Sequence, residues 1–160
     1  MAMPPTPSPV TKDETSKYSD LRDDGVAELF TFPMEVKSII TKPSPGLDLN
    51  KAGIYQINGI AWSGMGKIKK VELSADGGTT WAEANLDDHV LSKALTRFRS
   101  AWKWNGGPAT LMSRAIDEKG NVQPTRENWL KGRAGNTFYH YNAIQIWHID
   151  QEGKASNVYL

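Results

Sequence analysis

The chain has 160 residues, enough for one domain with a sizeable core, and a formal charge of +1 from 19 basic and 18 acidic residues. It contains no cysteine, which excludes disulfides, zinc–thiolate sites, iron–sulfur clusters, c-type haem attachment and thiolate nucleophiles. The balanced charge gives no pull toward nucleic acid or an anionic membrane, and no stretch approaches the roughly 18 apolar residues of a membrane span.

The opening "MAMPPTPSPV" lacks the charged leader and apolar run of a signal peptide. Residues 1–20 read as a flexible, proline-rich tail and 21–160 as one domain. "LFTFPMEVKSII" then alternates. Phe30, Phe32, Met34 and Val36 share one face and Glu35 and Lys37 the other, a half-buried strand that Pro33 assigns to a sheet edge. "TKPSPGLDLN" is loop. "GIYQINGIAWSG" is a second strand, with Tyr55, Ile57, Gly59 and Ala61 opposite Ile60 and Trp62. "KIKKVELSADGGTTWAEA" reads strand, turn, strand, with Val71, Leu73 and Ala75 inward and Lys70, Glu72 and Ser74 toward water.

"NLDDHVLSKALTRF" is the one stretch suited to a helix, capped by Asp87 or Asp88, with loop as the alternative. "FRSAWKWNGGPATLMSRAI" reads as a hairpin turning at Asn105-Gly106-Gly107, with Trp102 and Trp104 on one strand face. "NWLKGRAGN" is irregular. "YHYNAIQIWHID" is a last strand that sets Ile144, Ile146 and His148 against Gln145, Trp147 and Ile149. Short strands between frequent turns, with almost no helical period, predict an all-β fold. The expected architecture is an immunoglobulin-like antiparallel β-sandwich of about seven strands.

The octet "SADGGTTW", Ser74 to Trp81, fits an Asp-box of the sialidase type at every fixed position. The Asp76 carboxylate is placed to accept backbone donors across a turn, Gly77 and Gly78 tolerate positive φ, and Trp81 folds back as a clamp. A propeller needs such a hairpin in each of several blades, and one copy is present, so the octet reads as a structural turn. Gly64–Gly66 lacks the third glycine and the following helix of a nucleotide loop. His89, His140 and His148 lack metal-ligand spacing, so no metal site is expected. Six tryptophans are many for this length; they point either to a tryptophan-rich core or to a surface buried against a partner.

Three segments together resemble the C-terminal dimerisation domain of molybdopterin-dependent sulfite oxidases, in particular the molybdenum subunit of bacterial sulfane dehydrogenase. They are "GIAWSGMGKIKKVELSADGGTTWAEA", "ALTRFRSAWKWNGGPATLMSRAIDEKGNVQPT" and "YHYNAIQIWHI". The resemblance runs from about Ser16 to near the end of the chain. It implies an immunoglobulin-like sandwich that pairs two subunits and performs no chemistry alone. It implies a homodimer, with a molybdopterin-binding domain or chain and a cytochrome c subunit as further partners, in the periplasm. Molybdopterin would be held by a preceding domain and its cysteine, neither of which lies in this chain.

Phe98, Trp102, Trp104 and Trp147 are the expected interface residues. In this family an arginine from this domain helps to bind the oxyanion. "LKGRAGN" matches that segment, with Arg133 as its arginine and Lys131 as the fallback, because an arginine fork donates two parallel hydrogen bonds to a sulfur oxyanion. Two other readings compete. One is a subunit that completes a sulfur-oxyanion site in trans with a cofactor-bearing chain. The other is a carbohydrate-binding sandwich that stacks sugars on Trp62, Trp81 or Trp104.

Overall fold

Apolar side chains that recur every second residue can be buried only if each strand turns one face to a common core, and here two sheets meet over that core. The structure is a computed structural model that describes residues 19–21, 27–29, 33–132 and 141–159. Strands β1 (Ser19–Leu21) and β2 (Ala27–Leu29) pair antiparallel as a separate ribbon. The body comprises β3 (Lys37–Lys42), β4 (Gly53–Trp62), β5 (Ile68–Ser74), β6 (Ala82–Glu83), β7 (Asn85–Leu86), β8 (Thr96–Trp104), β9 (Ala109–Asp117), β10 (Ile146–Ile149) and β11 (Ala155–Val158). Among the described residues one short helix, α1 (Arg126–Gly132), lies between β9 and β10.

One sheet has the order β3-β4-β8-β7 and the other β11-β10-β9-β5-β6, with antiparallel pairing throughout. The first sheet reproduces the A-B-E-D order of an immunoglobulin constant-type sandwich, and β5-β9-β10 reproduces C-F-G. The short strands β6 and β11 extend the second sheet at its two edges. The β-sandwich expected from the strand pattern is present.

Several local expectations hold and several are corrected. In β4, Ile57, Gly59 and Ala61 are buried while Ile54 and Gln56 face out. β3 is an edge strand. It begins at Lys37, however, and Met34 is 47% exposed while Val36 is buried; Phe30 and Phe32 lie outside the described residues. Ser74 is buried rather than solvated, because its hydroxyl is used inside the following turn. The segment weighed as helix or loop, residues 85–98, holds a two-residue strand, β7, then loop, and its last three residues begin β8, so the loop alternative holds over its middle. The helix lies instead at 126–132. Thr125 caps it by accepting the Asn128 N–H at 3.2 Å, and Glu127 pairs with Lys131 one turn later at 2.7 Å.

The largest correction concerns Asn105-Gly106-Gly107. β8 and β9 do not pair with each other, so this turn is no hairpin: it carries the chain from one sheet to the other. Trp104 Nε1 donates to the Gly107 carbonyl at 2.6 Å and Asn105 Oδ1 accepts the Gly107 N–H at 2.9 Å, which fixes the corner.

Between the sheets Val36, Ile40, Ile57, Val71, Phe98, Trp104, Leu111 and Ile149 are each 6% exposed or less. Gly59 sits opposite Phe98, and a Cβ there would stand 2.0 Å from the ring and 2.4 Å from the Ile39 carbonyl oxygen. The ring of Phe98 fills the space that a side chain at 59 would take.

One buried polar group joins the sheets. The Gln123 carboxamide lies where β10 leaves β9, and it behaves as a short piece of backbone. Its Oε1 accepts the N–H of Ser38 on β3 at 2.8 Å and of Ala115 on β9 at 3.1 Å; its Nε2 donates to the carbonyls of Ser38 at 3.2 Å and Ala143 at 3.3 Å. Ser38 Oγ lies 2.7 Å from Gln123 Oε1 and 3.0 Å from Ser113 Oγ, so the two hydroxyls complete a closed network. At the end of β9 the fully buried Asp117 carboxylate accepts from Ser63 Oγ, from the N–H groups of Lys119 and Asn121, and from Asn121 Nδ2, all at 2.8–3.0 Å. Burial pushes its pKa up, but these hydrogen bonds together outweigh that and leave it below the usual aspartate range.

Two predictions follow from these networks. Gln123→Leu leaves two buried N–H groups without acceptors, and urea unfolding should show a loss of about 3–5 kcal/mol. Asp117→Asn turns one acceptor oxygen into a donor facing donors, and should cost about 2 kcal/mol at neutral pH. Because the folded pKa of Asp117 is depressed, its contribution is present above the ordinary aspartate value of about 3.9 and is lost as pH falls through the folded pKa. The gap between wild type and variant should therefore narrow below about pH 4 in the same assay.

Candidate functional site

The octet at the β5–β6 connection is a hydrogen-bonded turn. Asp76 accepts the Thr80 N–H at 2.9 Å and the Thr80 hydroxyl at 2.5 Å, and meets Ser74 Oγ at 2.7 Å. The Thr80 hydroxyl, the Thr80 N–H and Ser74, in that order, pull its pKa down to about 2. Gly77 and Gly78 take φ of 71° and 92°, and Trp81 Nε1 closes the turn onto the Gly78 carbonyl at 2.9 Å. The turn is also docked on β9, through Gly77 N–H to the Thr110 carbonyl at 3.1 Å. All of Asp76's partners are groups of the turn itself, which leaves it organising backbone.

The four residues expected at an interface have internal partners. Phe98 and Trp104 are 2% and 3% exposed and fill the core. Trp102 and Trp147 are half-buried against the same core, and Trp147 Nε1 donates to the Ile40 carbonyl across the sheets at 3.1 Å. Of the rings weighed as sugar platforms, Trp104 is thus internal, and Trp81 carries the Arg114 guanidinium 4.1 Å from its ring centre. Trp62 is half-buried at the end of β4.

The surface is divided. On the outer face of the five-stranded sheet, Glu72 bridges Lys70 at 2.7 Å and Arg114 at 2.6 Å, and the bond from Lys70, ahead of that from Arg114, lowers its pKa. On the outer face of the other sheet, Arg97, Arg99, Ala101 and Lys103 stand exposed along β8, and Asp87 holds Arg99 at 3.1 Å. At one end of the sandwich the loops are tied together by Gly64 N–H to Met34 carbonyl at 2.7 Å and Lys93 N–H to Gly66 carbonyl at 3.1 Å. Met34, Leu91, Leu95 and Val122 are 47–65% exposed on these loops and the neighbouring turn.

Lys131, on α1, is exposed and ion-paired to Glu127. Arg133 and His140 lie outside the described residues. Beside α1, Tyr141 is packed edge-on by Trp129 at 4.8 Å between ring centres, and its carbonyl accepts from Lys37 Nζ. Burial lowers the pKa of Lys37. Burial also raises the pKa of Tyr141, against the opposing charge of Arg126. Neither Arg126 nor the two tyrosines, Tyr141 and Tyr159, that accompany it was singled out from sequence. Pro124-Thr125 followed by Glu127 and Lys131 is a helix start that places Arg126 in a first turn; nothing local brings Tyr141 and Tyr159 to it. Among the described residues no group of three His, Asp or Glu could ligate a metal, and no helix is long and apolar enough to cross a membrane.

The comparisons agree with this architecture. Sulfane dehydrogenase SoxCD from Paracoccus pantotrophus superposes with a TM-score of 0.87 at 44% identity, over 94% of this chain and 39% of that one. Human mitochondrial sulfite oxidase is 36% identical over 103 residues, which is 57% of this chain and 18% of that protein. The Drosophila melanogaster enzyme is 30% identical over 129 residues, 71% of this chain and 22% of its own length. NADH nitrate reductase 1 of rice is 32% identical over 124 residues, 66% of this chain and 13% of its own. The chain therefore spans a quarter or less of these curated relatives. The profile of the family described as the Mo-co oxidoreductase dimerisation domain matches residues 28–146. Because that match covers most of the chain, this chain belongs to the Mo-co oxidoreductase dimerisation domain family.

Proposed function

We propose that the chain is the module that pairs two copies of a sulfite- or sulfane-oxidising molybdenum enzyme. The observation that carries this reading is the likeness to SoxCD over 94% of the chain. A sandwich of this kind suits the task because its core is complete without a partner, which leaves surface side chains free to meet a twin. An isologous contact requires each surface residue to find its complement on the same patch of the other copy. A permanent pair of this type buries about 2,000 Å² or more.

The family's molybdenum cofactor belongs to another domain. The residues present do not fit it: the chain has no cysteine thiolate, and among the described residues no other ligand cluster replaces one. Redox chemistry and the sulfur substrate are assigned to a molybdopterin-binding domain or chain, and electron acceptance to a separate cytochrome c subunit. We place the parent protein in the periplasm on the likeness to SoxCD; the absence of cysteine fits an oxidising and a reducing compartment alike. In this reading Arg133, with Lys131 as its alternative, supplies a cation to the sulfur oxyanion held by that molybdopterin-binding domain or chain.

Two experiments test the proposal. Light scattering on the purified chain at micromolar concentration should return the mass of a dimer, and a monomer mass overturns the reading. In the enzyme assembled with its cofactor-bearing part, Arg133→Ala should raise KM for the sulfur substrate about tenfold or more, the loss of one charge-assisted hydrogen-bond pair. An unchanged KM removes Arg133 from substrate binding and leaves the pairing role standing.

A further inference from the structure

The pair Asn-Gly occurs twice in the chain, at Asn58-Gly59 and at Asn105-Gly106, and the fold holds the two differently. In β4 the backbone at Gly59 is paired on both sides, with Ile40 and with Phe98. It is also crowded: a Cβ there would stand 2.0 Å from the Phe98 ring and 2.4 Å from the Ile39 carbonyl oxygen. The Asn58 carboxamide points back along the strand, its Oδ1 accepting from Gln56 Nε2 at 2.6 Å. At the corner after β8 the carboxamide points the other way. Asn105 is exposed, and its Oδ1 reaches forward past Gly106 to accept the Gly107 N–H at 2.9 Å. Gly106 has φ of 89°, which glycine adopts readily, and a Cβ there would meet only the Ala52 Cβ, at 3.5 Å. Among the described residues no backbone hydrogen bond occupies the Gly106 N–H.

We infer that Asn105 is a site of spontaneous covalent modification, an intramolecular acyl transfer that releases ammonia, and that the folded chain protects Asn58 from the same reaction. The nucleophile is the Gly106 backbone nitrogen once hydroxide has taken its proton. It forms a bond to Asn105 Cγ, the Cγ–Nδ2 bond breaks, and the side-chain nitrogen leaves as ammonia with a proton from water. The product is a cyclic succinimide, which water then opens. Addition at Cγ gives aspartate; addition at the Asn105 main-chain carbonyl carbon gives isoaspartate, whose backbone runs through Cβ. The Gly107 N–H assists, because it donates to the oxygen that takes up negative charge as Cγ is attacked. A carboxamide folded forward over the next residue also brings Cγ toward the attacking nitrogen. Asn58 has neither advantage: its carboxamide faces the preceding residues, and the backbone after it has no room to rotate. Modification puts a carboxylate at the crossing between the sheets and cancels the chain's formal charge of +1. The isoaspartate form also lengthens the main chain between Trp104 and Gly107, which the bond from Trp104 Nε1 to the Gly107 carbonyl spans. The site goes beyond the pairing role and does not depend on it.

The test is incubation of the purified chain at mildly alkaline pH, folded in buffer and unfolded in guanidinium chloride, followed by tryptic digestion and mass spectrometry. Trypsin separates the two sites: Lys51 and Lys67 bound the peptide that holds Asn58, and Lys103 and Arg114 bound the one that holds Asn105. In the folded chain the 104–114 peptide should gain about one dalton and resolve into two forms of equal mass, aspartate and isoaspartate. The 52–67 peptide should convert about a hundredfold more slowly, the penalty of a misplaced reacting group. In guanidinium chloride both peptides should convert at similar rates, and Asn105 in the folded chain should keep pace with them. Asn105→Gln, which demands a larger ring, should stop the mass gain in the 104–114 peptide. A folded wild-type chain whose 104–114 peptide keeps its mass while the unfolded chain converts overturns the inference. So does equal conversion at Asn58 and Asn105 in the folded chain. Both comparisons use the wild-type chain, so they hold whether or not a variant folds. Neither bears on the light-scattering mass, so this inference and the pairing proposal fail separately.

Discussion

The Gln123 carboxamide is the constraint on which the sandwich depends. A β-sandwich is held together mainly by non-directional burial, and burial alone lets one sheet slide or rotate over the other. Gln123 removes that freedom. It satisfies the open side of edge strand β3 with the geometry of a peptide group and reaches the backbone of β9 in the other sheet with the same oxygen. The network is nearly solvent-free, so each of its members is costly to leave unpaired. Because β10 diverges from β9 beyond Met112, the backbone of β9 there needs a substitute partner, and the side chain of Gln123 and the bridge from Val122 to Ile116 provide it.

The second organising feature is the corner at Asn105-Gly106-Gly107. Because it moves the chain between sheets, β8 pairs with β4 while β9 pairs with β5, and the long strands of each sheet come from separate parts of the chain. The corner also explains the use of the aromatic side chains. Trp104 ends β8 pointing inward and bonds to the corner itself, and Phe98 covers Gly59 on the neighbouring strand. Rings that looked available for a partner are consumed in holding the two layers in register. Among the described residues, the surface open to partners includes exposed aliphatic side chains on the loops at one end, Ile54 on β4 and the cationic row along β8.

That division fits a module which supports chemistry located elsewhere. The titratable groups with shifted pKa values are mostly structural. Asp76 and Asp117 hold turns, and Glu72 holds Arg114 over Trp81. The exception is the neighbourhood of α1, where Lys37, Arg126, Tyr141 and Tyr159 gather cationic and aromatic groups. Two of the four come from opposite ends of the described chain, so their meeting is a product of folding.

Alternation in "GIYQINGIAWSG" and "KIKKVELSADGGTTWAEA" determined two long strands and which faces they bury, because period two is a local property of the backbone. The turn chemistry of Ser74 to Trp81 was legible for the same reason: donors and acceptors there lie within a few residues of one another. Tertiary structure alone decided that the glycine turn after Trp104 crosses between sheets, since hairpin and corner use the same residues and differ only in what the following strand finds to pair with. It also decided that Phe98, Trp104 and Trp147 face a core. An apolar face in sequence is the same whether it meets its own second sheet or another molecule, and only the placement of that sheet tells the two apart. Gln123 shows the same limit most clearly. Nothing local distinguishes it from a surface glutamine, and its role comes from Ser38, 85 residues away, arriving within hydrogen-bond reach.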